Sequence, residues 1–287
     1  MKTLSLVSDR IRWDEKALIH AASSIGVDLK LIDPKSMFLK ISVKPEDLSD
    51  DFSEVVINRC VSYFRGLHIA ALLEKAGLKV INSFKVMLVC GNKVFTDLSL
   101  MSANVPVPKT LLAFTGEGTL KALDELGFPA VIKPVVGSWG RLIALVKDKD
   151  SAQAIIEARE QIRNALFQIY YIQEYVKRPP RDIRVLVIGD DVVAASYRYS
   201  PKDDWRTNVA RGGVSKPCPL TEELREIALR AAEAVGEGVL AIDCMESPNG
   251  LLVHEINGTV EFRGLCSATE VNIPRKIIEY AIKVMKR

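Results

Sequence analysis

Between residues 3 and 81, short apolar runs alternate with stretches of helical periodicity, and this alternation constrains the fold more than any other feature. Thr3–Val7, Val27–Ile32, Glu54–Asn58 and Leu78–Ile81 read as strands. Asp14–Ile25 and Leu67–Ala76 read as helices followed by Gly26 and Gly77, where a helix C-terminus favours positive φ. Strands that alternate with helices are joined by crossovers, and crossovers leave a mostly parallel sheet. No glycine-rich dinucleotide fingerprint follows the first strand, which argues against a Rossmann dehydrogenase.

From Asn82 the pattern changes. Asn82 and Ser83 can cap a helix predicted to run towards Met101, and Val105-Pro106-Val107-Pro108 reads as an extended linker. Lys109–Phe114, Ala130–Lys133, Leu142–Val146 and Tyr170–Val176 are predicted strands, with helices at Thr119–Leu126 and Ser151–Ile162, so residues 109–176 form a small α+β block. Two hairpins follow, Ile183–Ile188 with Val192–Tyr199 and Leu240–Met245 with Leu251–Ile256. Between them Thr221 caps a helix over Glu222–Val235, with Leu224, Ile227, Ala228, Ala231 and Val235 on one face. Ile277–Met285 is the last predicted helix.

Composition narrows the functional classes. Of 287 residues, 39 are Lys or Arg and 36 are Asp or Glu, and a formal charge of +3 is too small to argue for nucleic acid. With 48% hydrophobic and 26% charged residues, the chain can bury a sizeable core. Its longest uncharged runs, Ala17–Val27 and Leu98–Pro108, have 11 residues each, too few for a transmembrane helix. No apolar signal-peptide segment precedes Asp9, and the five cysteines and three histidines are scattered, without a CxxC pair or a zinc-ligand cluster. A cytoplasmic protein without structural disulfides is expected.

Three groups of residues can carry chemistry. Glu255 and Asn257 lie two apart on a predicted strand and share a face, and a hairpin partner brings Asp243 beside them. Two carboxylates and an amide oxygen suit Mg²⁺, although polar hairpin residues facing water produce the same pattern. Lys133 ends an apolar strand before Gly137-Ser138-Trp139-Gly140-Arg141, a loop whose backbone N–H groups and arginine can cradle phosphates. It is not a P-loop, and an ordinary hairpin with a solvated lysine reads the same way. Gln173-Glu174-Tyr175-Val176 can supply adenine and ribose contacts. Arg184 and Asn208 can clamp an anionic group, or belong to a solvated basic face.

In order, the fragments are Lys93, Lys133 with its loop, Gln-Glu-Tyr-Val, Asp182-Ile183-Arg184 and Asp243…Glu255-x-Asn257. This order resembles the ATP-grasp superfamily of carboxylate–amine ligases over nearly the whole chain. Val80-Ile81-Asn82-Ser83, Gly91-Asn92-Lys93 and residues 105–110 are similar to the branch containing ribosomal-protein glutamate ligases. The nearest resemblance is to ligases that attach an amino acid to a small amino-group carrier protein in lysine and arginine biosynthesis. It implies an α/β ATP-grasp fold with an N-terminal βαβ (pre-ATP-grasp) domain over residues 1–88. An ATP-grasp domain would then span 89–287, with a central α+β lid subdomain at about 109–176. ATP and Mg²⁺ are the implied cofactors.

By position, the resemblance implies that Lys93 and Lys133 bind ATP phosphates under a mobile loop of Ser138, Trp139, Gly140 and Arg141. Glu174, Tyr175 and Val176 would line the adenine and ribose pocket with Asp182 close by, and Asp243, Glu255 and Asn257 would hold the metal. Arg184 and Asn208 match positions near the acyl phosphate and substrate, with Arg184 and Lys133 in catalytic roles. The implied acceptor is the side-chain carboxylate of the C-terminal glutamate of a small acidic carrier protein. Residues 258–264, Gly-Thr-Val-Glu-Phe-Arg-Gly, look more like the glutamate type than the 2-aminoadipate type. Thr259 and Arg263 are therefore expected substrate contacts, with Arg263 on the distal carboxylate or, alternatively, in a structural salt bridge with Glu261 or another carboxylate. The rival readings are a 2-aminoadipate ligase, a ribosomal-protein glutamate ligase and a nucleotide-binding module that has lost catalysis. A homo-oligomer with no membrane and no nucleic-acid partner is expected.

Overall fold

The protein is described from a computed structural model covering residues 2–42, 48, 51–162, 164–202, 204–207 and 212–286. β1 (Lys2–Val7), β2 (Val27–Ile32), β3 (Val55–Asn58) and β4 (Lys79–Ile81) form a parallel sheet in the order β2-β1-β3-β4. Because side chains alternate along a strand, this sheet feeds two cores. Leu4, Leu6, Val55 and Ile57 pack with α1 (Trp13–Ser24), whereas Val7, Val56 and Val80 pack with α2 (Tyr63–Lys75). Burial on both faces explains why its strands read as continuous apolar runs.

The sequence predicts one helix from Ser83 towards Met101, but the structure has two: α3 (Phe84–Cys90) and α4 (Lys93–Ser102). The break has a steric cause and a capping cause. A Cβ on Gly91 would sit 1.8 Å from the Tyr63 ring, so only glycine permits this approach. Asn92 then accepts the Val94 N–H at 3.0 Å and restarts the helix, which makes Lys93 the first residue of α4.

Residues 109–176 build the expected α+β unit. β5 (Thr110–Ala113), β6 (Ala130–Pro134), β7 (Ala144–Val146) and β8 (Tyr170–Glu174) form an antiparallel sheet ordered β5-β8-β6-β7. α5 (Gly116–Leu126) and α6 (Lys149–Glu160) cover one face through Leu123, Ile132, Ile156 and Ile172. Strand alternation turns Val131, Lys133 and Gln173 to the opposite face.

The third sheet is antiparallel in the order β11-β10-β9-β12-β13, from β9 (Arg181–Ile188), β10 (Asp191–Tyr199), β11 (Val214–Pro217), β12 (Val239–Ser247) and β13 (Gly250–Asn257). α7 (Glu222–Val235) covers one face and buries Leu224, Ile227, Ala228, Ala231 and Val235 as the periodicity predicts. The other face changes character along its length. Leu186, Ile188, Val239 and Ala241 join the core shared with α1 and α9 (Ile273–Met285), while Asp182, Arg184 and Asp243 continue the same rows as charges. β11 and α8 (Arg263–Ala268) were not among the predicted elements: each is short and lacks apolar periodicity. No helix among the described residues is long and apolar enough to cross a membrane.

Asn82 ties the parallel sheet to the third one. Its side-chain amide donates to the Val239 carbonyl at 2.8 Å and to the Gly258 carbonyl, and its oxygen accepts the Val239 N–H at 2.6 Å. Asn82→Ala would leave three backbone groups without these partners, at about 1–3 kcal/mol for each group left buried and unpaired. Because water reaches part of the vacated space, the expected loss of unfolding free energy is about 2–4 kcal/mol, readable in urea denaturation.

Candidate active site

The charged face of the third sheet and the Lys133 face of the second enclose a small pocket. Six cationic side chains (Lys93, Lys133, Arg141, Arg178, Arg198, Arg206) line it against three carboxylates (Glu174, Asp182, Glu255), together with Val131, Tyr175, Val176 and Met245. A cation surplus beside an apolar slot suits a ligand that joins phosphates to a flat ring. Lys133 donates to Gln173 Oε1 at 2.6 Å, Gln173 Nε2 to Tyr171 Oη at 2.8 Å, and Tyr171 Oη to Asp97 at 2.6 Å. Burial, reinforced by the charge of Lys93, pushes the Lys133 ammonium down to about 8. Lys93 reaches Glu255 Oε1 and the Gly137 carbonyl, each at 3.2 Å. Burial works against ionised Glu255, but Lys93, with His254 and Lys133, outweighs it and holds the carboxyl below its usual range.

The loop after β6 closes one side of this pocket. Arg141 stacks over the Trp139 ring at 4.7 Å, and Arg206 donates to the Gly140 carbonyl at 3.2 Å. Glu174 accepts the Lys109 N–H at 2.7 Å, while Tyr175 meets Trp205 edge-on at 6.3 Å.

A larger cavity of about 430 Å³ adjoins the pocket, and Gly137, Ser138, Arg198 and Glu255 belong to both walls. Beneath it lies a buried ion array. Arg184 clamps Asp243 through two bonds of 2.8 Å, Arg198 clamps Asp182 at 2.8 and 2.7 Å, and Arg198 also lies 3.0 Å from Asp243. Burial disfavours the charge of Asp182, yet Arg198 and His254 hold its carboxyl well below the usual range. Asn257 donates to Asp243 at 3.2 Å, and Asp243 faces Glu255 across the β12–β13 ladder. The register shifts beside this pair, so His254 bulges out and lines the small pocket.

The N-terminal unit supplies the remaining wall. Phe262 N–H donates to Asp14 at 2.7 Å, Arg59 donates to the Val260 carbonyl at 2.6 Å, and Arg12 pairs with both Glu15 and Glu261. Trp13 meets Phe262 edge-on at 6.1 Å and lies 5.8 Å from the Arg263 guanidinium. Glu261 is thus engaged by Arg12, and among the described residues Arg263 has an aromatic neighbour and no ion pair. Cys60 and Cys90 also line the cavity, but burial pushes both thiols up to about 12 and leaves them poor nucleophiles.

The structure brings the sequence-predicted residues into two adjoining spaces. Lys93, Lys133, Ser138, Gly140, Arg141, Glu174, Tyr175, Val176 and Asp182 line the small pocket. Trp139, Arg184, Asn257, Thr259 and Arg263 line the large cavity, with Glu255 shared and Asp243 fully buried beneath. Asn208 lies outside the described residues. Sequence reasoning missed Arg198, His254 and the Tyr171–Asp97 pair. Arg198 carried a legible signal, since it stands two residues from Ser196 on a strand that after Asp191 is otherwise apolar or aromatic. The other contacts depend on tertiary neighbours.

Lys133 also makes stability depend on pH in a definite direction. Unfolded, the lysine keeps its proton to 10.5; folded, it releases it at about 8. Between those values the unfolded chain binds more protons, so stability rises with pH, by roughly 3 kcal/mol at most. The buried thiols titrate in the opposite sense above about pH 9 in both proteins, so the measurement is the difference in unfolding free energy between wild type and Lys133→Met, which should rise between pH 7 and 10.5.

Comparison with known proteins identifies the family. The RimK-like ATP-grasp domain family matches residues 90–281, and the LysX preATP-grasp domain family matches residues 4–89. The chain is 35% identical to the glutamate–LysW ligase ArgX of Sulfurisphaera tokodaii, over 96% of both proteins. It is 36% identical to the alpha-aminoadipate–LysW ligase LysX of Saccharolobus solfataricus, over 96% of this chain and 99% of that protein. The fold is also that of the crystal structure of a RimK domain protein ATP-grasp from Sphaerobacter thermophilus, with a TM-score of 0.79, 24% identity, and coverage of 98% and 99% of the two chains. The family match over residues 90–281 and relatives 35–36% identical over nearly the whole chain place the chain in the RimK-like ATP-grasp family.

Proposed function

We propose that this protein is an ATP-dependent ligase that joins the amino group of glutamate to a side-chain carboxylate. In this reading the carboxylate is that of the C-terminal glutamate of a small acidic amino-group carrier protein, and the reaction serves arginine or ornithine biosynthesis. The relatives named as LysW ligases support the carrier reading. The observation that carries it is the shared wall: a cation-rich pocket opens into a cavity of about 430 Å³ at Glu255 and Arg198, where a phosphoryl group and an acceptor carboxylate would meet.

Lys93 and Lys133 offset the negative charge of the ATP phosphates, and Ser138, Trp139, Gly140 and Arg141 cover them. Glu174, Tyr175 and Val176 line the base and ribose, with Asp182 fixing Arg198 below. The metal expected in this fold would be held by Asp243, Glu255 and Asn257. All three are hard-oxygen donors on one face of the β12–β13 hairpin, a set that would suit Mg²⁺ once the Asn257 amide turns its oxygen, in place of the N–H it gives Asp243, towards the ion and Arg184 and Arg198 release Asp243. When bound, Mg²⁺ supplies further charge neutralisation at the phosphates.

The acceptor carboxylate takes the γ-phosphoryl group to give an acyl phosphate and ADP, and the incoming amine then displaces phosphate. Arg184, beside the cavity, stabilises the oxyanion that develops on amine attack, with Asn208 assigned to the same anion. Thr259 and Arg263 hold the incoming amino acid. Because Arg12 engages Glu261, the Arg263 guanidinium stays available for a distal carboxylate.

Glutamate and 2-aminoadipate differ by one methylene, worth about 1–3 kcal/mol in an apolar pocket, and residues 258–264 favour glutamate. A 2-aminoadipate ligase is the second reading, since relatives of both kinds are similarly distant. The test is ATP-dependent mass gain on the purified carrier with each amino acid supplied alone. The expected result is modification by glutamate, with kcat/KM about tenfold or more above 2-aminoadipate; the reverse preference would overturn the glutamate assignment. Glu255→Gln should lower kcat by about 100-fold or more with an unchanged fold by circular dichroism, because it removes one of the two anionic donors.

A further inference from the structure

Ser196 carries a role that the roles assigned so far leave open. It lies on β10, is 1% exposed, and its hydroxyl makes no hydrogen bond to any described residue. The other such atom, His254 Nε2, at least has the Asp182 carboxylate 3.7 Å away. An unpaired buried hydroxyl costs free energy until a polar atom reaches it.

Its place in the sheet says which atom that is. Ser196 stands opposite Arg184, Arg184 opposite Asp243, and Asp243 opposite Glu255. Directly opposed residues share a face, so four adjacent strands present one row: hydroxyl, guanidinium, carboxylate, carboxylate. Ser196 ends this row on the side of Arg184 away from the proposed metal ligands, and both residues line the large cavity with Arg198. An anion held by Arg184 from the cavity therefore comes within reach of Ser196 after rotation about its χ1 bond.

We infer that Ser196 is a substrate-binding residue whose hydroxyl donates to the acceptor carboxylate, and to the acyl phosphate formed from it, alongside Arg184. This rests on the ligase reading above.

Ser196→Ala separates this role from a structural one. Without ligands the variant should melt at or above the wild-type temperature, because it removes a polar group that the empty protein leaves unpaired. With carrier, kcat/KM for the carrier should fall about 10- to 100-fold, while KM for ATP stays unchanged. A carrier-free measurement runs beside it: the rise in melting temperature that inorganic phosphate adds to ADP and Mg²⁺ should appear in the wild type and be lost in Ser196→Ala. Unchanged carrier kinetics in the variant, or a phosphate effect that is equal in both proteins or absent from the wild type, would overturn the inference. If the wild type fails to modify the carrier, the ligase reading on this carrier falls, and the phosphate measurement still decides the role of Ser196.

Discussion

Two carboxylates buried without pairing would be intolerable in this sheet, and the rest of the structure depends on how they are paired. Asp182 and Asp243 are 1% and 0% exposed, and each meets a guanidinium through two parallel hydrogen bonds. Bidentate geometry offsets much of the desolvation that makes buried ions costly. It also locks register: Arg184 links β9 to β12, and Arg198 links β10 to β9 while lying against Asp243. The polar half of the sheet is therefore preorganised before any ligand arrives, with its carboxylates held in place by guanidinium pairs.

The apolar half of the same face is covered by the N-terminal unit, and this cover brings distant parts of the chain to one wall. Glu15 is fully buried between Arg12 and Arg59, and although burial opposes its charge, those arginines keep its carboxyl below the usual range. Arg59 also holds the Val260 carbonyl and stacks 5.6 Å from the Phe262 ring. The segment that carries Thr259 and Arg263 is thus positioned by residues about two hundred places earlier in the chain. A cavity wall built this way forms only when both units are folded.

The division of charge between the two spaces follows from strand alternation. On β6, Ile132 enters the apolar core while Lys133 faces the pocket; on β9, Ile183 and Val185 enter one core while Asp182 faces the pocket and Arg184 the cavity. One rule of geometry separates the residues that hold the sheets together from those that line the two spaces.

The sequence by itself determined the element types, because alternation of period two and helical periodicity reflect local burial. It located the first four strands, the helix Glu222–Val235 and both hairpins, and the Glu255-x-Asn257 spacing put two donors on one face. What the tertiary structure decided was pairing. Nothing local says that Tyr63 would press on Gly91 and split a helix, or that Arg12 rather than Arg263 would take Glu261. The same holds for Ser196, whose isolation depends on the strands that happen to lie beside it. A residue's period along its own element is written in nearby sequence, but the partner of a buried charge or hydroxyl is set by which elements pack across the chain, and that is a long-range property.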